Sequence, residues 1–178
     1  MTPARPPEIL DAPPGVLRRW QPDDLDEAYQ ATCDSHDHLR PWMPWAEIIS
    51  RDGTRSFLAE SEVSWENGSE FNYAITVDGR IAGSAGLMAR QEPGGFEIGY
   101  WVHHAYTRRG LATAATRVLT QAAFDLPEIR YVEIIHDELN IASEAIPRNL
   151  GFTRIGTTPM ENPPSAGTGT GVIWRLTG

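Results

Sequence analysis

Residues 97–113, Glu97-Ile98-Gly99-Tyr100-Trp101-Val102-His103-His104-Ala105-Tyr106-Thr107-Arg108-Arg109-Gly110-Leu111-Ala112-Thr113, decide how this chain is read. The first six have the character of a buried strand. A short basic turn follows, and from Gly110 onward the small residues open a helix. A helix start exposes unpaired backbone N–H groups and the positive end of the macrodipole. With Gly110 permitting close backbone approach, the turn is a seat for a phosphate or pyrophosphate.

Working outward, Phe96 to Val102 follows Ile81 to Met88, which Asp78-Gly79 joins to Phe71–Val77 as a hairpin. Upstream, Thr54 to Asn67 is a helix ended by Gly68, and Leu39 to Trp45 is broken by Pro41 and Pro44. A helix from Pro22 to about Asp37 opens with acids at its positive end, after a strand over Val16–Trp20. Residues 1–14, with five prolines, read as an extended lead-in, and 15–178 as one domain. Downstream, a helix to Phe124 leads into a strand over Tyr131–His136. Asn140 then caps a helix to about Asn149, and strands at Thr153–Thr157 and Val172–Leu176 close the chain across a long, mobile loop. The order predicts an α/β fold: a mixed, mostly antiparallel sheet of six to seven strands with about four helices.

Composition narrows the function. The net charge of −9 argues against a nucleic-acid surface, and no apolar run is long enough to span a bilayer. Every basic residue is arginine, which excludes a lysine-bearing P-loop or a Schiff-base enzyme. The single Cys33 fits a reducing cytoplasm and reads as an apolar helix residue. Adjacent His103-His104 and the His36/His38 pair are weak zinc signals, so no metal is expected. Residues 1–89 hold 7 Arg against 15 acidic residues, which suggests either a solvated acidic surface or attraction of a cationic partner.

The element order resembles that of the GNAT superfamily of acyl-CoA N-acyltransferases, and most closely the ribosomal-protein-alanine N-acetyltransferase branch. Four segments carry the likeness: Leu39-Arg40-Pro41-Trp42-Met43-Pro44-Trp45, Glu97 to Val102, Arg109-Gly110-Leu111-Ala112-Thr113, and Asn140…Ser143…Leu150-Gly151-Phe152. Two departures stand out. Thr107 and Arg108 differ from the family's phosphate-loop pattern, and the acidic residue and tyrosine expected around the last strand are not evident.

The resemblance implies acetyl-CoA as donor, with the main chain of Arg108, Arg109, Gly110, Leu111, Ala112 and Thr113 on its pyrophosphate. Trp101 and Val102 would meet the acyl carbonyl and pantetheine, Asn140 would hold the pantetheine, and Ser143 would protonate the leaving thiolate. Asn140 also has the place of a plain N-cap. For the base, Glu97 ranks first, then Glu161 and His136. Trp42 and Trp45 are candidate acceptor contacts, or packing over the helix pair. The expected acceptor is a primary amine, such as a cationic peptide N-terminus or polyamine, attacking directly in a monomeric or homodimeric enzyme. Three other readings stay open: the same fold using another acyl-CoA such as succinyl-CoA, a non-catalytic acyl-CoA-binding or sensor module, and a nucleotide-binding module built on the same turn.

Overall fold

The computed structural model describes residues 4–89 and 93–178. Its strands are β1 (Ile9–Ala12), β2 (Gly15–Arg19), β3 (Glu70–Val77), β4 (Arg80–Ala89), β5 (Gly95–Val102), β6 (Tyr131–Asp137), β7 (Thr153–Pro159) and β8 (Thr170–Thr177). The helices are α1 (Leu25–Asp34), α2 (His36–Leu39), α3 (Arg51–Asn67), α4 (Leu111–Phe124) and α5 (Ile141–Asn149). The strands form a single sheet in the order β1-β2-β3-β4-β5-β6-β8-β7. Asp78 and Gly79 both have positive φ (50° and 77°), as a two-residue type I′ turn requires, and they close the β3–β4 hairpin where the sequence places it.

Among the described residues, eight strands and five α-helices replace the expected six to seven and about four. The added strand is β1, inside the proline-rich lead-in. Leu10 pairs with Leu17 and Ala12 with Gly15, while Pro6-Pro7 and Pro13-Pro14 only bracket the strand. The added helix, α2, exists because the first helix stops at Asp34, short of Asp37. Ser35 is fully buried at the break, and its hydroxyl accepts the N–H of His104 at 3.1 Å. Helix α3 starts at Arg51, three residues before Thr54, because the Ser50 hydroxyl accepts the N–H of Gly53 at 3.0 Å.

Two hydrophobic clusters flank the sheet. Helix α4 buries Leu111, Ala115, Leu119 and Ala123, spaced four apart, in the cluster that holds Leu17, Ile75, Ala85 and Ile98. The second cluster joins Trp20, Ala28 and Ala31 to Leu58 of α3 and to Ala74 and Ile81 of the sheet. The alternation of β3 and β5 between these clusters orients the site.

The loop between β7 and β8 is fastened rather than mobile. Asp137, 2% exposed, accepts backbone N–H groups from Leu139, Thr168 and Gly169 at 3.0, 3.2 and 2.9 Å. At the loop's far side Ala166 donates to the carbonyl of Pro41 at 3.0 Å, tying it to the proline-broken segment.

Candidate active site

Strands β5 and β6 run parallel, and their ladder has only three registers: Gly95↔Tyr131, Phe96↔Val132 and Glu97↔Glu133. Beyond Glu133, β6 continues to Asp137 paired with β8, while β5 continues to Val102 paired with β4. The two strands therefore part at their carboxyl ends, where open α/β sheets bind ligands. Hydrogen-bonding direction alternates along a strand. His103 donates to Ala82 of β4, and the Gly94 carbonyl accepts from Arg130 on the β6 side. It follows that the odd-numbered residues of β5 face β4 and the even-numbered ones face β6. Tyr100 and Val102 thus aim backbone N–H groups into the gap. Trp101, expected to share that task with Val102, aims its N–H at β4 and offers its side chain instead.

The basic turn closes one end of this gap. Arg108 (φ 61°) and Gly110 (φ 77°) both adopt the left-handed conformation, which turns successive N–H groups toward a common concavity. No side chain caps α4. The Ala114 N–H donates to the carbonyl of Gly110, so the N–H groups of Leu111, Ala112 and Thr113 precede the helical ladder. The Arg109 guanidinium lies 5.1 Å from the centre of the Tyr106 ring, while Arg108 is exposed. Arg108 and Arg109 therefore hold positive charge at an uncapped helix start.

Helix α5 forms the other side. The Asn140 side chain accepts the N–H of Ser143 at 3.3 Å, so Asn140 is the N-cap, with its amide hydrogens uncommitted to that bond. Tyr100 donates from its hydroxyl to the Ser143 carbonyl at 3.4 Å. Burial pushes the Tyr100 phenol up to about 12. His136 is spent: its Nδ1 donates to the Asp137 carbonyl at 2.8 Å, and its Nε2 accepts the indole N–H of Trp174 at 3.0 Å. With no lone pair left, it cannot serve as the base.

On the opposite face of β5 lies a cleft of about 570 Å³, within the range of small-molecule sites. Trp45 lines it, its ring 6.0 Å from that of Trp101. Trp42 is not on its wall. Neither is any carboxylate among the described residues, so residues 4–89 do not supply this wall with negative charge.

A strand pair that parts beside an uncapped helix start is an acyl-CoA architecture in the family the sequence resembles. The chain matches the acetyltransferase (GNAT) domain over residues 16–153. It belongs to the GNAT acetyltransferase family. Among its relatives is YdaF of Bacillus subtilis (strain 168), named as a ribosomal N-acetyltransferase, 25% identical over 144 residues and matching 79% of each chain. Among solved structures, Mycobacterium smegmatis RimJ in complex with CoA-disulfide superposes with a TM-score of 0.86 at 22% identity, covering 99% of this chain and 90% of that one. RimL, a ribosomal L7/L12 alpha-N-protein acetyltransferase in complex with CoA, gives a TM-score of 0.87 at 20% identity, covering 96% and 98%. Identities this low establish a shared fold.

Within this GNAT fold, Glu97 stands at the last paired rung, beside Glu133, which is ion-paired to Arg175. It shares a strand face with Trp101 but lies four residues away, about 13 Å along the strand. Glu161 is exposed on the β7–β8 loop. Sequence reasoning missed Tyr100 as a site side chain, and it missed Trp20, Phe57 and Asn72 on the cleft wall. Tyr100 had a signal, since it alternates with Trp101 in the decisive strand. The other three come from distant segments and carried none.

Proposed function

We propose that this GNAT acetyltransferase moves an acetyl group from acetyl-CoA to a primary amine by direct attack, the amine being the N-terminus of a protein or peptide. The parting of β5 from β6 beside the α4 start carries the reading. The residues present fit the donor: a backbone-lined gap, a helix start without a side-chain cap, and two arginines at its mouth. Acetyl-CoA bound there supplies the acyl thioester.

In this reading the backbone of residues 108–113 holds the pyrophosphate, with Arg108 and Arg109 adding charge. The amide hydrogens of Asn140 meet the pantetheine. The Val102 N–H stabilises the carbonyl oxygen as charge develops on it. The acceptor amine enters from the cleft beyond Trp101. A C–N bond forms, the C–S bond breaks, and the hydroxyl of Ser143, whose carbonyl Tyr100 holds, delivers a proton to sulfur and regains one from water. The proton lost by the amine leaves through water, with Glu97 as a relay. The names of YdaF and RimL support a protein amine as acceptor.

The test is thiol release from acetyl-CoA with a panel of N-terminal peptides. Turnover that falls at least tenfold in Ser143→Ala is expected. CoA binding without turnover on any amine would replace catalysis with a sensor role, and faster turnover of succinyl-CoA would reassign the donor.

A further inference from the structure

The cleft beside Trp101 has a chemical character of its own. Its walls carry two aromatic pairs: Trp45 with Trp101, and Trp20 with Phe57 at 5.8 Å in an edge-to-face arrangement. At the rim, Trp45 is 47% exposed and Ile48 83% exposed. Large apolar side chains held in water around one concavity mark a binding surface. The floor is flat, because Gly86 and Gly99 face each other in register. A methyl on Gly86 would meet Asn72 Oδ1 at 2.3 Å, and one on Gly99 would meet Met88 Cε at 2.9 Å, so those two side chains lie across the floor.

Its polar atoms are mostly spoken for as donors. Thr32 donates to the Tyr29 carbonyl, Thr54 to that of Ser50, and Ser84 to that of Tyr73. Ser84 also accepts the indole N–H of Trp20 at 3.3 Å. Asn72 donates from its amide nitrogen to Ser61 and Glu70 at 3.3 and 3.2 Å, which fixes its oxygen as an acceptor over the floor. With no charged side chain on the wall among the described residues, the cleft offers apolar surface and hydrogen-bond acceptors.

We infer that the acceptor is a primary amine bearing a large apolar, aromatic-sized group, with no carboxylate or second cation inside the cleft. The inference rests on the amine-transfer reading above. An N–H donor finds Asn72 Oδ1. A carboxylate beside the amine, as in a free amino acid, finds no cationic partner among the described residues and is costly to bury. The same apolar walls disfavour the ammonium form, so the bound amine loses its proton more readily than in water. This lightens the demand on a base, which matters where the nearest ranked carboxylate, Glu97, is distant. An N-terminal α-amine, with a pKa near 8, suits this better than an alkylamine near 10.

The experiment measures kcat/KM at saturating acetyl-CoA for amidated peptides X-Ala-Ser-Ala, with X as Phe, Leu, Ser, Asp or Lys. Phenethylamine is added as the small-molecule source of the same chemistry. The Phe and Leu peptides should exceed the Ser peptide by roughly 10- to 100-fold, the worth of burying such a side chain, with Asp lowest. Phenethylamine faster than the Phe peptide would assign the small amine as the source, and the reverse a peptide N-terminus. Trp45→Ser should shrink the Phe-to-Ser ratio at least fivefold through KM, while thermal stabilisation by CoA shows the variant is folded. Ser or Lys peptides turned over as fast as Phe would overturn the inference and leave amine transfer standing. No turnover on any amine, with CoA still bound, would overturn amine transfer itself and this inference with it.

Discussion

The Tyr100 hydroxyl of β5 donates to the Ser143 carbonyl of α5 at 3.4 Å, so one side chain spans the gap where β5 and β6 have parted. Burial pushes its phenol up to about 12. The hydroxyl therefore keeps its proton through the whole useful assay range. Tyr100→Phe removes the bond that holds Ser143 in place and should lower kcat about tenfold, while changing KM for acetyl-CoA far less. In the parent enzyme no loss of activity assignable to this phenol should occur below about pH 11, because a raised pKa extends the protonated form upward. Steady-state thiol release across pH checks both points.

Gly110 tests the turn. Its φ of 77° is disfavoured for any residue with a Cβ, yet a methyl there meets nothing within 4 Å. Gly110→Ala should therefore cost about 1 kcal/mol through backbone strain alone. It should also raise KM for acetyl-CoA by disturbing the N–H groups that follow. Arg108→Gly has the opposite stability sign, since φ at Arg108 is 61° and glycine relieves it. That variant should be as stable as the parent or slightly more so, yet bind CoA more weakly for want of charge. Thermal melts and CoA titrations separate the two effects.

These positions show how far the sequence could be read. The β3–β4 hairpin, the strand into the basic turn, and α4 were legible because local rules determine them: Asp78-Gly79 for the turn, small residues at helical spacing, and glycine at a helix start. The first strand was hidden because Pro6-Pro7 and Pro13-Pro14 masked four residues whose strand state depends on pairing with β2. The break at Ser35 was hidden because its cause is His104, 69 residues away. His136 looked like a base until its partner Trp174 was in place. The cleft wall was unreadable for the same reason: Trp20, Phe57 and Asn72 meet only in the folded chain.

Ser35 links two of those segments. Its buried hydroxyl accepts the His104 N–H and steadies the stretch that leads to Arg108 and Gly110. Ser35→Ala leaves that N–H without its partner and should cost about 1–3 kcal/mol. A fall in Tm with a rise in KM for acetyl-CoA, measured side by side, is the expected outcome.

Asp137 governs the β7–β8 loop. Burial alone would raise its carboxyl, but the N–H groups of Leu139, Gly169 and Thr168 outweigh that and hold it below the usual carboxylate range. A depressed folded pKa means the contribution is complete above the unfolded value of about 3.9 and is lost as pH falls through the folded value. Asp137→Asn should lower stability by roughly 1–3 kcal/mol at pH 7, and the gap from the parent should close in strong acid. Denaturant melts at pH 7 and below pH 3 supply the comparison.

The central claim is that one ligand occupies both the backbone turn at 108–113 and the gap between β5 and β6. A crystal structure of the chain with bound acetyl-CoA tests it most directly. The account predicts the pyrophosphate within hydrogen-bond distance of the N–H groups of residues 108–113, and the thioester carbonyl beside Val102. A pyrophosphate seated elsewhere, with the gap between Val102 and Ser143 left clear of the ligand, would contradict it.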